Sequence, residues 1–143
     1  MFTKFVSKQY LYMKKIYVSY DYDNDKHFKN LLTAWSANSM FEKFEFIDVS
    51  ADISINSNDP TVIKRVISAK INTSSHFLVI VGSKTHKSSW VEWEIDKAVD
   101  LEKRIIAVKT DRFNQSPDVL LGVGASWAMS FTYEEIIKAI KGN

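Results

Sequence analysis

Six consecutive residues, His76–Val81 (HFLVIV), form an apolar run bounded by Ser75 and Gly82. Such a run offers no polar side to water, so it suits a central strand buried on both faces. Arg104–Lys109 (RIIAVK) repeats the pattern, and Ser89–Glu102 between them reads as a helix. Two buried strands joined through a helix imply a parallel sheet covered on both sides.

The rest of the chain extends this alternation. Lys15–Tyr20 is a β-rich run that ends in an acidic turn, Asp21-Tyr22-Asp23-Asn24-Asp25. Phe28, Leu31, Leu32 and Trp35 then follow helical spacing, with Asp23 or Asn24 as the cap. Phe44–Asp48 reads as a second strand, and Val49–Asp59 as a long Ser/Asn/Asp-rich loop of the kind that carries function. Asp59-Pro60 opens a helix whose apolar face is Val62, Ile63, Val66, Ile67 and Ile71. Beyond the loop Thr110–Gly124, Trp127–Phe131 is expected as an edge strand. Thr132 and Glu135 box the start of a last helix, closed by Gly142. The predicted architecture is α/β, a three-layer flavodoxin-like sandwich on a five-stranded parallel sheet. It occupies residues 14–143, behind an N-terminal extension of residues 1–13.

Composition narrows the functions available. A net charge of +2 spread along the chain argues against nucleic-acid or membrane partners, and no apolar run approaches the roughly 18 residues of a membrane span. Zero cysteines exclude disulfides and thiolate metal sites and agree with a reducing, cytoplasmic setting. His27, His76 and His86 lack metal-ligand spacing, so no metal is expected. Only four glycines occur, and none forms a phosphate-binding loop. A phosphorylation receiver would end its central strand on an aspartate, where this chain has Val81-Gly82-Ser83.

In parallel sheets ligands bind beyond the carboxyl ends of the strands. That rule selects Tyr20–Asp25, the loop after the second strand, and Gly82–Trp90. Just beyond lies Trp90-Val91-Glu92-Trp93-Glu94-Ile95. Ser89 and Glu92 have capping-box spacing, which gives Glu92 a backbone role. Glu94 has no such role; it falls one turn after Trp90, beside a separate apolar stripe of Val91, Ile95 and Ala98. It reads either as a catalytic carboxylate or as an exposed glutamate pairing with Lys97. Tyr17 and Trp35 are expected in the core, and Trp93 under the helix.

The segments KIYVSYDYDNDKHFKNLL, DPTVIKRVISAKINTSSHFLVIVGSKTHKSSWVEWEIDKA and RIIAVK resemble the TIR-like proteins of bacterial Thoeris antiphage systems, the ThsB type. The most specific part is Ser88, Trp90 and Glu94, similar to the TIR pattern Ser-x-Trp-x-x-x-Glu. The resemblance implies an NAD-cleaving enzyme with Glu94 as its catalytic carboxylate and NAD as substrate, not cofactor. It further implies that Tyr20, Asp21, Tyr22 and Trp90 line the nucleotide pocket, with Gly82, Ser83, Thr85 and His86 as its floor. The product, a cyclic or modified ADP-ribose, would be a diffusible signal to a partner effector after a phage-derived trigger. The first-strand turn and long loop suggest a pocket completed by a second copy. Two other functions stay open, a non-catalytic TIR-type adaptor acting through self-assembly and a nucleotide-binding sensor.

Overall fold

The chain is described by a computed structural model covering residues 14–38, 40–41, 43–48 and 59–142. Residues 1–13 and most of the loop expected at Val49–Asp59 lie outside the described residues. Five strands form the sheet: β1 (Lys14–Ser19), β2 (Phe44–Ile47), β3 (His76–Val81), β4 (Arg104–Lys109) and β5 (Ser126–Ala128). All pairings are parallel, in the order β2-β1-β3-β4-β5. This is the predicted flavodoxin-like arrangement. Among the described residues the α-helices are α1 (Tyr22–Ala37), α2 (Pro60–Thr73), α3 (Ser89–Asp100) and α4 (Tyr133–Lys141).

Strand order and crossover hand decide which face each helix covers. The chain steps outward from β1 to β2, then returns past β1 to β3 and continues to β4. Right-handed crossovers in opposite directions place α1 on one face and α2 and α3 on the other. The side chains sort accordingly. Ile16, Val18, Leu78, Ile80, Ile106 and Val108 pack with Leu32 of α1 and with Ile136 and Ile140 of α4. Tyr17, Phe77, Val79, Val81, Ile105 and Ala107 pack with Ile67 and Ile71 of α2 and with Val91, Ile95 and Ala98 of α3. Every residue of β3 is buried, as its uninterrupted apolar run requires.

Several local expectations are corrected. Asp21, not Asp23 or Asn24, caps α1, accepting from the Asp23 amide at 3.2 Å. Leu31 leaves the expected stripe and is exposed, while Leu32 is fully buried. Val66 likewise sits at the surface. The third helix stops at Asp100 rather than Glu102, because Glu102 takes a positive φ of 57° that reverses the chain. The last strand is Ser126–Ala128 rather than Trp127–Phe131. Phe131 leaves the sheet to pack on Phe28 and Trp35, with ring centroids 4.9 and 5.9 Å away. The Asp59-Pro60 start holds: Asp59 accepts from Thr61 at 2.9 Å.

Phe77 has no exposed surface, whereas Phe113 is 82% exposed. Phe77→Ala is expected to cost about 3–5 kcal/mol and Phe113→Ala no more than ~0.5 kcal/mol. Urea unfolding of the two variants measures both; equal losses would contradict the sheet's placement of β3.

Candidate active site

The order β2-β1-β3 makes the gap between the carboxyl ends of β1 and β3 the topological switch point of the sheet. β1 carries Tyr17 and Ser19 toward the face covered by α2 and α3, two residues apart and therefore on the same side. Helix α3 crosses above them. Its cap is Ser88, whose side chain accepts from the Val91 amide at 3.2 Å. The expected Ser89–Glu92 box is therefore overturned. With Ser88 as cap, Glu92 stands one residue too late for the reciprocal bond and is exposed.

That phase of the helix turns Val91, Glu94, Ile95 and Ala98 toward the sheet together. Glu94 thus belongs to the buried stripe rather than standing apart from it, with 8% of its surface exposed. It accepts a short hydrogen bond from the Tyr17 hydroxyl on Oε2. A second comes from the Ser19 hydroxyl to Oε1 at 3.1 Å. The alternative of an exposed Glu94–Lys97 pair is excluded, since the Lys97 ammonium lies over the Trp93 ring at 5.9 Å. Burial pushes the Glu94 pKa up to about 7, with the charge of Asp48 adding to the rise; the Tyr17 and Ser19 hydrogen bonds hold it down. Burial, then the adjacent Glu94 charge, drive the Tyr17 pKa upward, so Tyr17 is a neutral donor at any working pH.

A second acid borders this arrangement. Asp48, just after β2, pairs with Lys29 of α1 at 3.0 Å and receives the Tyr20 hydroxyl at 3.4 Å. Tyr20 is buried in the α1 face of the core, so only its hydroxyl end reaches the rim. Asp21 is occupied as the α1 cap and also accepts from Asn24 Nδ2 at 2.7 Å. Tyr22 is exposed, tilted against Tyr20, with the Lys26 ammonium 4.9 Å from its ring.

The remaining expected pocket residues divide into separate groups. Gly82 and Thr85 are buried against Asp25, and the Gly82 amide donates to Thr85 Oγ1 at 2.8 Å. Ser83 is exposed at the turn. His86 lines a polar cavity with Glu92, Gln115 and Asp118, its Nδ1 buried and without a partner among the described residues. Trp90 is exposed and meets Trp93 edge to face, with Lys64 of α2 over both rings at 5.9 and 5.3 Å. Among the described residues, no group of three or more His, Asp or Glu side chains is arranged to hold a metal ion.

The Thoeris protein ThsB, TIR-like domain, matches residues 17–115, more than two-thirds of the chain. The chain belongs to this family. Among curated proteins, none matches the sequence. In three dimensions the chain is similar to the CMP N-glycosidase BcmB of Clostridium botulinum, with a TM-score of 0.64 and 14% identity over 90% of this chain and 98% of that one. A 2-deoxyribosyltransferase from Bacillus psychrosaccharolyticus superposes with a TM-score of 0.65 and 11% identity, over 85% and 90% of the two chains. The TIR domains of the activated Roq1 resistosome match at 0.50 and 13% identity, over 91% and 72%. At these identities the likeness concerns the fold alone. The ThsB-type, TIR-like domain and its α/β architecture are thereby established, and no helix among the described residues is long and apolar enough to cross a membrane.

The sequence reading missed Tyr17 as a site residue, along with Ser19, Asp48 and Lys29. Ser19 had a readable signal, a small hydroxyl residue ending the β-rich run Ile16–Val18. Tyr17 had none, because its partner lies 77 residues away.

The raised pKa of Glu94 links its proton to stability. Folded Glu94 holds its proton up to about pH 7, against an ordinary value of 4.5. Stability from this group is therefore complete below pH 4.5 and lost as the pH rises through 7, by roughly 3 kcal/mol in all. Glu94→Gln, neutral at every pH, is expected to match the wild type near pH 4.5 and exceed it at pH 8. Denaturation at both values measures this, and a difference independent of pH contradicts the buried placement.

Proposed function

We propose that this domain cleaves the nicotinamide–ribose bond of NAD, with Glu94 as the catalytic carboxylate. The observation that carries the reading is a buried carboxylate at the switch point, fixed by two hydroxyls of β1 and poised near pH 7. A non-catalytic adaptor has no use for a charge held at that cost. Membership of the ThsB family supports the reading, as do the names of two fold neighbours, a CMP N-glycosidase and a 2-deoxyribosyltransferase.

Heterolysis sends the C1′–N electron pair to the nicotinamide nitrogen and leaves an oxocarbenium-like ribose. Nicotinamide departs neutral because it is cationic while bound, so no acid is needed to protonate it. Ionised Glu94 stabilises the developing positive charge and accepts hydrogen bonds from the ribose hydroxyls. Tyr17 and Ser19 hold the carboxylate oxygens in place while leaving each with further acceptor capacity. Attack by water at C1′ then gives ADP-ribose, and attack by a nucleophile of the same molecule gives a cyclic product. On this reading the product is the cytoplasmic signal that switches on a partner effector after a phage-derived trigger, and assembly of copies completes the pocket.

Incubation of the triggered, assembled protein with NAD, with mass spectrometry of the products, tests the reading. Glu94→Gln is expected to lower turnover at least a hundredfold while remaining folded; full turnover by that variant sinks the assignment. Because catalysis needs the ionised carboxylate, kcat/KM is expected to rise with pH around a midpoint near 7. Tyr17→Phe removes a hydrogen bond that favours the ionised form, so its midpoint is expected to move upward. A midpoint that falls or stays fixed argues against Tyr17 as the partner of the working carboxylate.

A further inference from the structure

A second buried carboxylate lies near the same rim. Asp25, in the first turn of α1, is 4% exposed although it follows a run of solvated acids. Its side chain turns inward onto the end of β3. There Gly82 presents its Cα so closely that a Cβ at that position would overlap the Asp25 carboxylate. Thr85 completes the contact. Its Oγ1 accepts from the Gly82 amide at 2.8 Å, and its single proton is shared between Asp25 Oδ2 at 3.2 Å and the Ile80 carbonyl at 3.3 Å. Burial raises the Asp25 pKa against the opposing Thr85 hydrogen bond, and the Asp21 charge adds to the rise while His27 offsets it. Such a carboxylate is costly to keep, and a small apolar side chain would fill the space without that cost.

The connectivity says what the contact is for. Asp25 belongs to the segment leaving β1, the strand that supplies Tyr17 and Ser19. Gly82 and Thr85 belong to the turn leaving β3, which runs through Thr85–Lys87 directly into Ser88, the cap of α3. Asp25 therefore ties together the two connections that border the switch-point crevice. Since Ser88 sets the phase of α3, the position of this turn sets where Glu94 lands over β1.

We propose that Asp25 is a positioning residue: by closing on Gly82 and Thr85 it holds the β3–α3 turn against α1 and keeps Glu94 seated between Tyr17 and Ser19. The proposal rests on the assignment of Glu94 as the working carboxylate, but its decisive measurements do not require NAD turnover.

The first is a stability cycle on the full chain. Gly82→Ala is expected to lower Tm by ~5 °C or more in the wild-type background and to cost almost nothing once Asp25→Ala has made room. If Asp25→Ala does not fold, Asp25→Gly, which also removes the atoms that a Cβ at Gly82 would meet, takes its place in the cycle. Additive losses overturn the contact.

The second is the titration of Glu94, followed by side-chain carboxyl carbon NMR. Loosening the turn with Asp25→Ala or Asp25→Gly is expected to admit water and bring the Glu94 midpoint down from near 7 by about one unit or more. An unmoved midpoint overturns the positioning role even if the stability cycle shows coupling. In the NAD assay the same variants are expected to lose roughly ten- to a hundredfold in kcat with KM nearly constant. A rise in KM at unchanged kcat contradicts the proposal, whereas a wild type that does not cleave NAD contradicts only the enzymatic reading.

Discussion

The bond network between Glu94 and the β1 hydroxyls is the constraint on which the site depends. An ionised carboxylate inside an α/β core loses much of its hydration, and among the described residues two neutral donors replace it. Among the described residues no cation is paired with it: Lys97 lies over Trp93, and Lys29 is engaged with Asp48. The carboxylate therefore carries an excess of desolvation over compensation, seen in a pKa near 7 rather than 4.5. Glu94 also occupies a position in the α3 stripe that packing alone would give to leucine or methionine. A fold optimised only for stability would not put it there.

Everything that holds the site is shared with the scaffold. Tyr17 stacks on Phe77 of β3, with ring centroids 5.7 Å apart and planes 5° from parallel, so its hydroxyl is aimed by core packing. Ser19 comes at the last residue of β1, where the strand gives way to the turn. Rigid strands fix the donors, and the helix cap fixes the acceptor. A site built this way tolerates little displacement, because a shift of α3 by a fraction of a turn would separate the partners.

How much of this could be read in the sequence follows from the range of the forces involved. The bounds of β3 and β4 were legible residue for residue, because continuous apolar runs between polar stops report burial on both faces. Asp59-Pro60 was legible for the same reason of locality. The choice between Ser88 and Ser89 as cap was not, since both have the same side chain and contacts across the fold decide between them, those of Thr85 in the preceding turn and of Val91 and Ile95 in the helix. β5 ended early because Phe131 found aromatic partners on α1 that no local pattern announces. The prominence of Glu94 came from its resemblance to the TIR pattern. Its burial was available in the 91-94-95-98 spacing, but the apolar stripe was drawn without the one charged member. Tyr17 and Asp25 stayed hidden for a common reason: each joins segments dozens of residues apart, and each looks locally like an ordinary core or turn residue.

Under the proposed chemistry, the proton on Glu94 links stability to substrate. Below neutrality the protonated acid suits the buried site and costs the fold least, but the group has no charge with which to stabilise a cation. Above neutrality the charge is present and the fold carries its cost. A substrate bearing a cationic ring favours the ionised form by direct electrostatics, so its arrival lowers the pKa and drives off the proton. Binding near pH 7 then releases a fraction of a proton and supplies the counter-charge that the core withholds. On this chemistry the substrate's own cation supplies the counter-charge that Glu94 lacks among the described residues.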